Sequence, residues 1–127
     1  MVSANNIGRF GYAGIVCSGS ATGTAQDEMV QRILISSNFI WDPTGEYTST
    51  QCNGVLLLAN GIDTNYPAHI TVLGNCVYDT SGGAAMQYAY YSQVPAGQGN
   101  LFWNNRGFNY TVAEYGGTIT TTEWKTL

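Results

Sequence analysis

Asp42 and Asp79 each stand four residues after an asparagine, Asn38 and Asn75, and Glu46 lies just beyond the first of them. If the two asparagines hold equivalent places in adjacent strands, the backbones of the two aspartates are about 5 Å apart. Carboxyl groups about 5–9 Å apart are the machinery of glycoside hydrolysis, one as acid and the other as nucleophile or base. Proximity also raises one of the two pKa values, as a general acid requires. Asp42, Asp79 and Glu46 are therefore the candidate catalytic residues. The same stretches, Asp42-Pro43-Thr44-Gly45 and Asp79-Thr80-Ser81-Gly82, read equally as turns whose first residue bonds its own backbone. A calcium ion held between the two carboxylates would need further oxygen ligands, so neither metal nor cofactor is assigned.

Trp41 and Tyr78 precede these aspartates, Arg9 takes the corresponding place after Asn5, and Trp103 lies further along with Phe102, Tyr88, Tyr90 and Tyr91. Aromatic faces meet the apolar side of a sugar ring, while amide and charged groups meet its hydroxyls. Trp41, Tyr78, Arg9 and Trp103 are the candidate carbohydrate-binding residues. The competing reading packs these rings under loops or at a subunit interface, where Tyr and Trp are enriched. His69 is expected on the outside above Arg32 with no nucleophile beside it. No Ser-His-Asp order and no glycine-rich phosphate loop is apparent. Asn109-Tyr110-Thr111 matches a glycosylation acceptor, read as a chance match.

The elements that must carry these residues repeat. Arg32-Ile33-Leu34-Ile35-Ser36-Ser37-Asn38-Phe39-Ile40-Trp41-Asp42 has a near-copy in Ala68 to Asp79 and partial copies around Asn5 and Asn104. The asparagines are 33, 37 and 29 residues apart (5 to 38, 38 to 75, 75 to 104), a period that signals stacked repeats. Three residues before each lie Val2, Ile35, Val72 and Leu101; five before lie Ile33, Ile70 and Gly99; two after lie Ile7, Ile40 and Val77. Alternation places these columns inward, with a bend at the asparagine keeping both flanking strands on one core. A further strand after a glycine gives inward Ile15, Val55 and Ala84, then Cys17, Leu57 and Met86. Polar connections follow, one with a possible helical turn at Gln26-Asp27-Glu28. Past residue 107 the pattern stops, and Tyr110-Thr111-Val112 and Thr118-Ile119-Thr120 flank Gly116-Gly117 as a hairpin does. The expected division is repeats over 1–107 and a β-hairpin tail over 108–127.

Bulk properties narrow the classes. The 127 residues suffice for one domain. Charged residues are only 9% of the chain, against about 25% in typical soluble domains, which suits small-polar sheet surfaces. At 44% hydrophobic and 13% aromatic the chain has ample area to bury, which excludes disorder. A net charge of −4 with four scattered basic residues argues against nucleic acid and against anionic membranes. Three cysteines without CxxC spacing argue against zinc or a disulfide framework and read as free thiols. The start is not a signal peptide and no window is apolar enough to span a bilayer, so synthesis in a cytoplasm and no membrane insertion are expected.

An inward asparagine at each bend, in coils of about 30 residues, resembles the right-handed parallel β-helix of pectate-lyase-like proteins, over roughly residues 2 to 107. Asn104-Asn105-Arg106-Gly107-Phe108-Asn109 resembles the close of the β-helix in bacteriophage tailspikes, where a smaller C-terminal β-domain helps hold a trimer. The resemblance implies an all-β chain, a short right-handed parallel β-helix of about three coils with a hairpin tail. It also implies a virion protein that recognises bacterial surface polysaccharide as a homotrimer, or beside another chain of a larger tailspike. Two alternatives stand: a polysaccharide hydrolase or lyase fragment using the carboxylates, and a trimerisation or capping module without ligand. So short a stack exposes strand edges at both ends, so a C-terminal piece or minimal module is expected.

Overall fold

The computed structural model describes residues 1–18, 30–43, 52–59, 66–80, 86–95, 97–119 and the backbone of 124–125. Its strands are β1 (Val2–Ser3), β2 (Asn6–Gly8), β3 (Ala13–Ser18), β4 (Leu34–Ser36), β5 (Phe39–Trp41), β6 (Asn53–Leu58), β7 (Thr71–Leu73), β8 (Cys76–Tyr78), β9 (Tyr88–Ser92), β10 (Leu101–Trp103), β11 (Arg106–Phe108), β12 (Ala113–Gly117) and β13 (Trp124–Lys125). No helix occurs among the described residues. Three parallel sheets result: sheet I is β1-β4-β7-β10-β13, sheet II is β11-β8-β5-β2, and sheet III is β12-β9-β6-β3. The chain visits sheets I, II and III in turn four times and returns to sheet I at β13. This arrangement is compatible with a parallel β-helix.

The corner between sheets I and II shows why asparagine recurs. Ala4, Ser37, Gly74 and Asn104 sit there at φ between 52° and 62°, which turns the chain sharply. The next residue's N–H then points to no strand carbonyl of the adjacent pass, and a side-chain oxygen replaces it. The backbone N–H of Asn5 donates to Asn38 Oδ1 (3.1 Å), that of Asn38 to Asn75 Oδ1 (3.0 Å) and that of Asn75 to Asn105 Oδ1 (3.0 Å). Each Nδ2 donates to the same oxygen at 2.9 Å. Backbone ladders resume on both sides, as in Ser37 N–H to Leu73 O and Phe39 N–H to Asn5 O.

Asn105, not Asn104, is thus the fourth member of the column; Asn104 is the turn residue before it. The one-residue shift corrects the neighbouring positions. Phe102 takes the inward place expected of Leu101, pairing with Val72, and is 1% exposed, whereas Leu101 is 40% exposed. Asn100 takes the place expected of Gly99, and its Oδ1 accepts from Ile70 N–H at 2.9 Å. A slip of one residue turns a strand inside out, and a Phe with its neighbours Tyr90 and Tyr115 fills this end of the core (centroids 6.4 Å from each).

Sheet III departs from simple alternation. Gly54, Val55 and Leu57 all face the core: a Cβ on Gly54 would stand 2.4 Å from Val77 Cγ1, and Val55 and Leu57 are buried in the central cluster. Gly14 meets Ile40 in the same way, and Ala89 meets Gly107. Strands β3, β6 and β9 therefore each point two successive residues inward, a small one opposite sheet II and then a large one; in β12 Glu114 holds the place of the small residue and its Oε1 accepts from Gly107 N–H at 2.6 Å. The third strand of this sheet is Tyr88–Ser92, with Ala89 in the glycine place expected of Gly83, which lies outside the described residues. Ala84 lies outside the described residues; Met86 is buried but precedes the strand.

Beyond residue 107 the sheets continue. Strand β12 pairs in parallel with β9, matching Tyr115 to Tyr90, and Gly116 and Gly117 pair with Tyr91 and Ser92 inside the strand and not at a hairpin turn. Strand β13 pairs in parallel with β10. The expected hairpin is corrected accordingly: apolar Tyr115 and Ile119 pack on the core, which gives this segment more to bury as a further pass than as a free hairpin. The suggested helical turn at residues 26–28 lies outside the described residues.

Candidate functional site

The outer face of sheet II carries the candidate residues in register. Gly8, Trp41, Tyr78 and Phe108 are successive partners across β2, β5, β8 and β11, and Asn6, Phe39, Cys76 and Arg106 form the parallel row two residues earlier. Alternation sends these outward because Ile7, Ile40, Val77 and Gly107 between them face the core. Phe39 (45%) and Phe108 (47%) are the most exposed rings of the strip. The Trp41 indole lies against the bare backbone of Gly8, where a Cβ would stand 2.4 Å from Cε2, and its Nε1–H donates to Asn6 Oδ1 at 2.5 Å. Tyr78 and Phe108 make an edge contact, with centroids 6.1 Å apart at 60°. Phe108 and Asn6 were hidden from the sequence reading, Phe108 because the fourth copy was counted from Asn104.

At the corner following this strip the four equivalent positions are Arg9, Asp42, Asp79 and Asn109. Arg9, Asp42 and Asn109 adopt positive φ. Asp42 accepts from Thr80 N–H at 2.9 Å and from the Thr80 hydroxyl. These bonds, the hydroxyl's first, hold the Asp42 carboxyl below the ordinary carboxylate range, with Arg9 adding a smaller attraction. Asp79 has no solvent-exposed surface; its Oδ2 accepts from Met86 N–H at 3.3 Å, and its carbonyl accepts from Asn109 Nδ2 at 2.9 Å. The structure brings both aspartates to one corner but not into an open pair: Asp42 caps the following pass and Asp79 is enclosed. Glu46 lies outside the described residues. Both carboxylates accept hydrogen bonds from backbone N–H groups, Asp42 from Thr80 and Asp79 from Met86.

Trp103 is 43% exposed on sheet I, in register with Leu73 and Ser36, on the other side of the asparagine corner from the strip. His69 is exposed, at φ 53°, and its ring lies over Gly99. Tyr90 belongs to the core: its hydroxyl lies within hydrogen-bond distance of the carbonyls of Asn75 (2.9 Å) and Arg106 (3.0 Å), and burial, above all, pushes its pKa far up. Tyr88 and Tyr91 are on the outside of sheet III. All three cysteines are free thiols. Among the described residues no three His, Cys, Asp or Glu side chains gather as a metal site, and no helix is long and apolar enough to cross a membrane.

The chemistry this arrangement offers is adsorption: flat apolar rings, with an amide (Asn6), two guanidinium groups (Arg9, Arg106) and one accessible carboxylate (Asp42) around them. No family of proteins, no curated protein and no solved structure matches this chain.

Proposed function

We propose that this chain is a right-handed parallel β-helix module of the bacteriophage tailspike type, which recognises bacterial surface polysaccharide as part of a homotrimer or beside another chain of a larger tailspike. The observation that supports this most is the column Trp41–Tyr78–Phe108, three ring-bearing positions whose backbones are in register at the strand spacing of about 4.8 Å, bordered by Asn6, Arg9 and Asp42. Such a row suits a linear glycan lying across the strands. The right hand follows from the near-universal hand of parallel crossovers. A virion location accompanies this reading.

A second reading has a specific observation of its own. Phe39, Leu73, Leu101, Trp103 and Phe108 are each at least 37% exposed, so the same faces suit contact between subunits in a structural module without ligand. A depolymerase is the least supported, since Asp79 is enclosed.

The test is a polysaccharide array probed with the native assembly, whose mass is measured by ultracentrifugation. Trp41→Ala and Phe108→Ala are expected to weaken glycan capture at least tenfold while leaving the assembly mass unchanged. No capture by the wild-type assembly, or a fall to monomer on the same substitutions, overturns glycan recognition at the strip in favour of the subunit interface.

A further inference from the structure

We infer a second, separate binding site for a neutral pyranose on the outer face of sheet III, independent of the sheet II strip. A cleft of about 250 Å³ is lined there by Tyr12, Asn53, Leu56, Gln87, Tyr88, Tyr91 and Gln93. It owes its existence to the doubled inward step. In a regular strand Tyr88 and Tyr91, three apart, would point to opposite faces. Because Ala89 and Tyr90 both enter the core, with no exposed surface on either, the two flanking tyrosines emerge on the same side. Their rings meet at 41° with centroids 4.8 Å apart and form an angled wall. The Tyr88 ring lies over Gly116 of the next pass, where a Cβ would stand 2.3 Å from Cε1. The same step on β6 brings Asn53 and Leu56 to the outer face, and both are buried there, at 2% and 1% exposure, on the floor of the cleft.

The lining selects its ligand by chemistry. Among the described residues it contains no ionisable group other than tyrosine. Two half-exposed carboxamides, Gln87 and Gln93, each offer both a donor and an acceptor, which is what a hydroxyl requires. The half-exposed tyrosine rings offer an apolar surface to axial C–H groups. A phosphate or carboxylate would find no cation among the described lining residues, so nucleotides and uronates are disfavoured. The volume falls below the roughly 300–1,000 Å³ of pockets that enclose drug-sized ligands. It therefore suits one ring, a chain end or a side-branch, whereas the sheet II strip is open and long.

The experiment is isothermal titration of the native protein with methyl glycosides of glucose, galactose, mannose and N-acetylglucosamine. Glucuronic acid, glucosamine and adenosine serve as controls. At least one neutral glycoside is expected to bind, at least tenfold more tightly than its charged analogue and than adenosine. Tyr91→Ala and Gln93→Glu are expected to weaken it at least tenfold, and Trp41→Ala to leave it unchanged. Both cleft substitutions are on half-exposed side chains, and circular dichroism checks that the sheets persist; should Tyr91→Ala unfold the chain, Gln93→Glu alone decides. No neutral glycoside binding, binding lost in Trp41→Ala but kept in Gln93→Glu, or a preference for adenosine overturns the inference. Polysaccharide capture at the strip is read separately through Trp41 and Phe108, so either site can fail while the other stands.

Discussion

Replacing Asn75 by alanine should be among the most damaging single changes in this chain, and the damage should depend on position along the asparagine column. The Asn75 side chain takes part in four hydrogen bonds: Oδ1 accepts from Asn38 N–H and Nδ2, and Nδ2 donates to Ile35 O (3.0 Å) and Asn105 Oδ1. The residue is 1% exposed, so water does not replace what is lost. Deletion leaves the buried Asn38 N–H without its acceptor; Asn38 Nδ2 keeps Val2 O, and Asn105 Oδ1 keeps the Asn75 N–H. One orphaned buried donor at about 1–3 kcal/mol and three further bonds at about 0.5–1.5 each give a cost of about 2.5–7.5 kcal/mol. That is a large share of the roughly 5–15 kcal/mol that holds a domain folded. Asn5 ends the column and is exposed, so Asn5→Ala should cost under about 1 kcal/mol. Asn104→Gly should be neutral or stabilising, because φ at that residue is 52°, while Asn105→Gly should cost several kcal/mol. Urea unfolding followed by circular dichroism measures all four. If Asn75→Ala costs no more than Asn5→Ala, or if Asn104 proves more sensitive than Asn105, the side-chain ladder is not what holds this corner.

Three further outcomes follow from the packing. Gly54→Ala should destabilise by about 1–3 kcal/mol or more through overpacking, since its Cβ would stand 2.4 and 2.6 Å from the Val77 methyls and 2.7 Å from Ala89 O; Val77→Ala in the same chain should recover part of it, and an unchanged urea midpoint for Gly54→Ala would contradict the doubled inward step. Maleimide labelling with mass mapping should reach Cys76 first, because Cys17 and Cys52 are 6% and 2% exposed and burial, assisted by the Asp79 charge, lifts the Cys52 thiol to about 11; equal rates at Cys52 and Cys76 would refute that burial. In alkali, Tyr115 is raised to about 12 and Tyr90 further, chiefly by burial. Both keep their protons in the folded state after the unfolded chain has begun to lose them, so stability is full below the ordinary tyrosine value of 10.0 and falls as pH rises above it. Ultraviolet titration should therefore show a late group of tyrosines ionising together with loss of sheet signal; all nine ionising together near 10 with the fold intact would count against the aromatic core.

Much of this architecture is legible in one dimension. The alternation around Ile35, Ile40, Val72 and Val77, with an asparagine between, determines two short strands meeting at a corner. Its recurrence determines parallel stacking, because identical patterns bury identical faces only when superposed in the same direction.

Other features depended on what lies across the core. Asn104 and Asn105 are equivalent in type, and the choice between them rests on whether Leu101 or Phe102 fills the space beside Tyr90 of the preceding pass and Tyr115 of its own. The doubled inward step of sheet III cannot be read by counting in twos; it exists because Gly14, Gly54 and Ala89 leave room for Ile40, Val77 and the backbone of Gly107. That step alone puts Tyr88 and Tyr91 on one surface. The route of residues 113–117 was likewise decided by the exposed edge of β9, whose unpaired backbone groups and neighbouring apolar surface a further parallel strand satisfies and a detached hairpin does not. Local pattern thus determined the repeating unit and its corner, while packing between passes decided which side chains share a face.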